Sequence, residues 1–219
     1  MKKKLLLTIM VLALLMLTAC DKKEEEKKEE HKMDYLILVN KDHEIPEYWD
    51  DVVELEDVKD IWGDDTKVEK EALMQFFKLK QDLETEEIFI ELDSAYRSVK
   101  RQQEIWDEFE KEYGLEYTQK TVATPKLSEH HTGLAIDVCL RKNGKLIYEN
   151  ADMVKEKAIF AKVHAKLAEY GFILRYLEGK EDITGYSYEP WHLRYIRDTK
   201  LAKEIMDKGI TLEEYLENK

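Results

Sequence analysis

An aspartate stands inside an otherwise apolar run, Ala135-Ile136-Asp137-Val138-Cys139-Leu140. Such a run reads as a buried strand, and a carboxylate there is costly unless it is paired or bound to a metal. The fold must therefore bring a partner to Asp137. Candidates stand on either side: Ser128-Glu129-His130-His131-Thr132-Gly133 just before the run, and Glu189-Pro190-Trp191-His192 later in the chain. His130, Asp137 and His192 make two imidazoles and one carboxylate. Three N/O side chains with an open fourth position are what a hydrolytic zinc ion needs. A nearby carboxylate that is not a ligand, here Glu189, can take the proton from the attacking water.

Seven positions separate His130 from Asp137. Within one straight strand their side chains would face opposite ways. His130 is therefore expected in the loop entering the strand, with Gly133 permitting the bend. Pro190 forbids a helix interior across residues 189 to 192, which excludes the helical two-histidine arrangement with a glutamate between. That segment should be extended or turned. Spacing alone does not say whether Glu189 faces the metal or the solvent.

The N-terminus reads as an address. Lys2, Lys3 and Lys4 precede an apolar run over residues 5 to 17, closed by Leu17-Thr18-Ala19-Cys20. The run is shorter than the roughly 20 apolar residues of a membrane span and fits a secretory leader. The small residue before Cys20 resembles the lipobox of bacterial lipoproteins, which implies lipidation at Cys20, cleavage of residues 1–19 and anchoring to the membrane from outside the cytoplasm. An uncleaved anchor or an ordinary leader with an incidental cysteine is the alternative. Residues 21 to 32 are all charged or histidine, so residues 20–32 are expected as a solvated tether with nothing to bury.

Residues 33–219 suit one domain with its own core. The formal charge is -13, or -16 once the three leader lysines are removed. That balance argues against nucleic acid as a partner and against adhesion to anionic lipid. If Cys20 carries lipid, Cys139 has no disulfide partner and is expected as a buried free thiol.

Periodicity gives a mixed pattern. Strands are expected at residues 35 to 39, 88 to 92, 135 to 140, 145 to 148, 172 to 176 and 191 to 196. Asn143-Gly144 marks a hairpin. Helices are expected at about 66 to 83, 99 to 113 with Gly114 as the stop, and 152 to 170 with Asp152 as N-cap and Gly171 as the stop. Two short helices flank Gly209, and residues 40 to 64 read as irregular. Strands joined by hairpins and helices grouped in sequence suggest an α+β fold with a small antiparallel sheet. His43, His131 and His164 read as solvent or supporting residues. Trp191 reads as pocket wall or core, and Tyr186 and Tyr188 as substrate contacts or packing.

Ser128-x-His130-x-x-Gly133-x-Ala135-x-Asp137, followed by Glu189-x-Trp191-His192, resembles the pattern of VanY-like D-alanyl-D-alanine carboxypeptidases and related L,D-carboxypeptidases. These belong to the LAS group of zinc peptidases, with lysostaphin-type enzymes and the hedgehog signalling domain. Ser94-Ala95-Tyr96-Arg97-Ser98 with Gln102, Gly171-Phe172-Ile173-Leu174-Arg175-Tyr176, Thr184-Gly185-Tyr186 and Trp191-His192-Leu193-Arg194-Tyr195 extend the likeness over most of 35 to 217. The resemblance implies Zn²⁺ on His130, Asp137 and His192, and Glu189 as general base and then acid. It implies Arg97 on the oxyanion or the substrate's terminal carboxylate, and Gln102 and Ser128 lining the site. A guanidinium suits the carboxylate role, since it is permanently charged and grips with two hydrogen bonds. The implied activity is removal of C-terminal D-alanine from peptidoglycan stem peptides by a monomer, with L,D- slightly favoured over D,D-cleavage. Two alternatives stand beside it: a non-catalytic wall-binding lipoprotein on the same fold, and an endopeptidase that cuts crosslinks.

Overall fold

The computed structural model describes residues 30–219. The leader, Cys20 and most of the charged segment lie outside the described residues. The chain divides at His31, and the sheet, helices and site all belong to Lys32–Lys219.

A two-stranded hairpin, β1 (Leu55–Lys59) and β2 (Asp65–Glu69), stands apart from the main sheet. The main sheet holds β3 (Phe89–Ser94), β4 (Ala135–Lys142), β5 (Lys145–Ile147), β6 (Phe172–Tyr176) and β7 (Glu189–Tyr195). Its order is β3-β4-β7-β6, with β5 on β4, and every pairing is antiparallel. The helices in chain order are α1 (Trp49–Val52), α2 (Lys70–Glu84), α3 (Val99–Tyr113), α4 (Leu115–Thr121) and α5 (Asn150–Met153). α6 (Lys157–Leu167), α7 (Glu181–Thr184), α8 (Thr199–Lys208) and α9 (Leu212–Glu217) follow. This is the expected α+β class.

Two clusters hold the layers together. α2 buries Ala72, Phe76, Leu79 and Leu83, spaced as one helical stripe, and α6 adds Phe160, Val163 and Leu167 to the same main core. Each such large side chain contributes about 1.5–3 kcal/mol of burial. A smaller cluster joins Ile173 and Ile196 to Ala202, Ile205 and Leu212 of α8 and α9. β6 serves both: Phe172 and Leu174 enter the main core and Ile173 the smaller one. It is therefore buried throughout, which makes the charge of Arg175 in its midst demand a partner.

Several expected elements differ. Residues 35 to 39 form no strand. Their side chains do alternate, with Ile37 and Val39 in the main core and Leu36 and Leu38 against the smaller one. The carbonyls of Tyr35 and Ile37, however, accept from the Arg194 guanidinium at 3.1 and 2.8 Å where a neighbouring strand would stand. Residues 40 to 64, expected as irregular, contain α1 and β1. The helix expected from 66 begins at Lys70, because Asp65–Glu69 pairs with β1 in the register Leu55↔Glu69 to Lys59↔Asp65. Glu69 then caps the helix, accepting from Ala72 N at 2.8 Å. The helix expected over 152 to 170 is broken between Met153 and Lys157, and Asp152 caps nothing but pairs with Lys155 at 2.7 Å. α4 is an addition that the periodicity did not mark. As expected, α3 covers Val99–Tyr113 and ends at Gly114, and the hairpin turns on Asn143 and Gly144, with φ of 52° and 75°. Positive φ at both central positions is the geometry that matches strand twist.

Candidate active site

Asp137 of β4 lies directly opposite His192 of β7 in the sheet register. Opposed residues on one face hold their Cβ atoms about 4.5–5.5 Å apart, so the register itself brings a carboxylate to an imidazole. His130 arrives from a 3₁₀ turn, Glu129–Thr132, that precedes β4. Gly133 ends that turn in the left-handed region, with φ 72°. A Cβ there would come within 2.5 Å of Leu55 Cδ2, so both backbone and space favour glycine. The expected loop and bend are thus present.

The metal-binding atoms of His130, Asp137 and His192 lie within 4.8 Å of one another. His130 Nε2 is 3.1 Å from Asp137 Oδ2, and His192 Nδ1 is 3.0 Å from Asp137 Oδ1. Despite that approach, the buried Oδ1 has no hydrogen-bond partner. Burial disfavours charge on His192, but Asp137 and Glu129 outweigh it and push its pKa up to about 9. An orphaned carboxylate oxygen fits a bound cation, and burial together with Arg97 pushes His130 down to about 4, which keeps it neutral as a ligand must be. Two nitrogens and one oxygen fit zinc. The outer nitrogen of His130, Nδ1, is 2.6 Å from the Ala95 carbonyl. Only an N–H can donate there, which leaves Nε2 with the lone pair that faces Asp137.

Glu189 and His192 are three residues apart, and a regular strand would face them opposite ways. The pairing of β7 with β6 is irregular between Leu174 and Tyr176, around Pro190, which has no N–H for a ladder. His164 supports this stretch, with Nε2 2.9 Å from the Pro190 carbonyl. Glu189 Oε2 consequently comes to 3.6 Å from His192 Nδ1, close to the donor cluster but beyond hydrogen-bond range. Burial, aided by Asp137 and opposed by His192 and Arg97, pushes the Glu189 carboxyl up to about 7. A carboxyl so placed can both take and give a proton near neutral pH.

Arg97 Nη2 lies 3.7 Å from Asp137 Oδ2, and its Nη1 donates to Gln102 Oε1 at 3.0 Å. Its Nε is buried without a partner. Gln102 is wholly buried and donates to the Ala123 carbonyl at 2.7 Å, so it stands behind Arg97 and steadies it. His131 is buried as well: its Nδ1 is 2.6 Å from the Arg97 carbonyl and its Nε2 accepts from Lys126 N. The cavity measures 230 Å³, and Ser128, Met153, Tyr176 and Trp191 share its wall with Arg97, Glu129, His130, Asp137, Glu189 and His192; Gln102, expected to line it, stands behind Arg97 instead. Trp191 is both wall and core. Tyr186 packs on Tyr176, which packs on His192, at centroid distances of 4.9 and 4.7 Å. Cys139 is a buried free thiol, its pKa pushed up to about 12 by burial.

Glu129 belongs to this site and was not singled out from the sequence. Its side chain is fully buried, and Arg175 and Arg194 outweigh burial to keep it ionised. The available signal was indirect. Arginines inside the apolar segments 172 to 176 and 191 to 196 imply a buried acid somewhere, but not which one.

Comparison with known proteins matches residues 65–198 to the family VanY, D-alanyl-D-alanine carboxypeptidase. The chain is 43% identical over 130 residues, 58% of its length and 65% of the relative's, to the bifunctional D-Ala-D-Ala dipeptidase and D-Ala-D-Ala carboxypeptidase VanXYC of Enterococcus gallinarum. The solved structure of the LdcB LD-carboxypeptidase superposes with a TM-score of 0.72 at 37% identity, covering 84% of this chain and 86% of that one. A variant of the vancomycin-resistance D,D-pentapeptidase VanY from a VanB-type cassette, in complex with Zn(II), gives 0.69 at 31% identity, covering 83% and 98%. The chain spans 36% to 65% of the length of the curated relatives it matches.

Proposed function

The chain belongs to the VanY family of D-alanyl-D-alanine carboxypeptidases, and on that premise we propose that it is a zinc carboxypeptidase removing C-terminal D-alanine from peptidoglycan stem peptides. One observation carries this reading. A zinc-type donor set, an unliganded acid and a buried guanidinium all bound one 230 Å³ cavity. That volume lies below the about 300–1,000 Å³ of sites for drug-sized ligands, which suits the end of a peptide better than a crosslink.

His130 Nε2, Asp137 and His192 Nδ1 would hold the zinc. When bound, the ion supplies Lewis acidity for water and for the scissile carbonyl. Glu189 takes the proton of the attacking water and returns it to the leaving amine. Arg97 offers its free Nε–H and its terminal nitrogens to the substrate's carboxylate, and Gln102 holds the guanidinium from behind by accepting from Nη1. Trp191 and Tyr176 wall off bulk water on the sheet side. Both D,D- and L,D-cleavage release D-alanine, and both kinds of enzyme occur among the structural neighbours. We favour L,D-cleavage because the segment Tyr188-Glu189-Pro190-Trp191-His192-x-Arg194-Tyr195 resembles the L,D-cleaving members more. A wall-binding protein without activity is disfavoured because ligands, acid and guanidinium are all in place.

Mass spectrometry of defined muropeptides tests the assignment. Loss of one alanine from a tetrapeptide is the expected result, and loss from a pentapeptide alone would establish D,D-cleavage instead. Amidating the substrate's C-terminus is expected to remove most cleavage, and Arg97→Lys to be poor, since a point charge cannot copy the bidentate fork. The two effects should not add. Full additivity in kcat/KM would move Arg97 to the oxyanion, and efficient cleavage of the amidated peptide would favour an endopeptidase.

The lipobox-like Leu17-Thr18-Ala19-Cys20 supports a lipid-anchored protein acting outside the cytoplasm. Among the described residues no helix is long and apolar enough to cross a membrane. Cys20→Ser is expected to shift the protein out of the membrane fraction, because stable anchoring takes more than one acyl chain and the cysteine would carry them all. Retention of the cleaved variant on membranes would refute the anchor.

A further inference from the structure

His130 and His192 meet Asp137 through opposite ring nitrogens, and each ring has an acceptor at the nitrogen it turns away. For His130 that acceptor is the Ala95 carbonyl. For His192 it is a carboxylate, with Nε2 3.0 Å from Glu129 Oε2. We propose that Glu129 is a positioning residue of the metal site, holding His192 with Nε2 protonated and the Nδ1 lone pair turned towards His130 and Asp137. The proposal rests on the reading of His192 as a ligand.

A neutral imidazole has one donor and one acceptor nitrogen, and an ionised carboxylate only accepts. Glu129 can therefore face the N–H of His192 and nothing else. Its own orientation is over-determined. Oε1 accepts from Arg175 Nε at 2.8 Å and from Arg194 Nη1 at 2.5 Å, which leaves Oε2 for His192. Arg175 is gripped in turn by Glu213 of α9 through two hydrogen bonds of 2.9 and 2.7 Å. Turning the His192 ring over would set a C–H against Oε2 and waste that acceptor. Two guanidiniums, Arg175 and Arg194, face the Glu129 carboxylate, so it stays ionised and can only accept.

A purely structural role would be to neutralise the arginines, and substitution separates the two. In Glu129→Gln the guanidiniums still require an acceptor, so the amide oxygen stays with them and its NH₂ turns to His192. A donor there selects the wrong tautomer, with the proton on Nδ1. Zinc affinity, read by chelator competition, is expected to fall about 10–100-fold, as when an outer partner of a metal-bound histidine is lost. Glu213→Gln weakens the other carboxylate pair of Arg175, also largely buried, at a residue that does not touch His192. It should lower the melting temperature and leave zinc affinity unchanged. Unchanged affinity in a folded Glu129→Gln, or an equal loss in Glu213→Gln, would overturn the proposal. Should Glu129→Gln not fold, ¹⁵N spectra of the zinc-loaded native protein decide. A protonated, slowly exchanging His192 Nε2 supports the role, and coordination through Nε2 refutes it. A native protein that bound no zinc would overturn the ligand assignment and this proposal together, whereas native binding with an indifferent Glu129 variant removes only the latter.

Discussion

Replacing His192 with Ala is expected to abolish metal binding and turnover together. His192 is one of three donors that lie within 4.8 Å of one another, and no fourth His, Cys, Asp or Glu joins the cluster among the described residues. Its loss leaves two ligands, one of them a carboxylate drawn towards Arg97. The same change strands Glu129 Oε2, a buried acceptor whose desolvation is then uncompensated. The drop in zinc affinity should exceed the about 10–100-fold that accompanies loss of an outer hydrogen-bond partner alone. Metal content measured on purified protein, beside product release from a stem peptide, checks both halves. Full occupancy in the variant would remove His192 from the ligand set.

Glu189→Ala should do the opposite to the metal and nearly the same to the rate. The acid stands 3.6 Å from His192 Nδ1, near the donors without belonging to the cluster that they form. Zinc should therefore remain bound. Turnover should fall roughly 10²-fold or more, the usual consequence of losing a general base. Binding of substrate should change less than kcat, because the proton transfer is made only on the way to the transition state. A folded, zinc-loaded variant with near-normal kcat would mean that another group moves the proton.

The readable parts of this molecule are those where local chemistry decides. Asp137 in an apolar run announced a partner. Seven positions between His130 and Asp137 required a bend, and Gly133 supplied it. Asn143-Gly144 and Gly114 fixed a hairpin and a helix end through backbone preference alone. The parts that escaped depend on distant groups. Residues 35 to 39 alternate like a strand, yet Arg194, 157 positions after Ile37, takes their carbonyls. The helix expected from residue 66 overran its true start because β2 runs directly into α2, and one core accepts Val68 of the strand with the apolar stripe of the helix. No proline or glycine marks the break between α5 and α6. Glu129 lay in plain view beside His130, but its partners are 46, 63 and 65 positions away. The motif marks Arg97 and Gln102 together, but not that Gln102 lies behind the guanidinium and accepts from its Nη1.

The pairing of Asp137 with His192 across β4 and β7 has a further consequence for how the chain reaches its native state. A slip of one residue between those strands would turn one of the two side chains to the other face of the sheet. The native register sets the two side chains directly opposite on one face, where both can reach one ion. Metal binding becomes a checksum on strand alignment, awarded to the correct pairing and withheld from its neighbours. At free zinc a hundredfold above the dissociation constant, that bias amounts to about 2.7 kcal/mol in favour of the correct state. The contact is also far apart in sequence and therefore slow to form. Zinc supplied while the protein folds should raise the fraction that aligns correctly, and zinc supplied afterwards should rescue less of it.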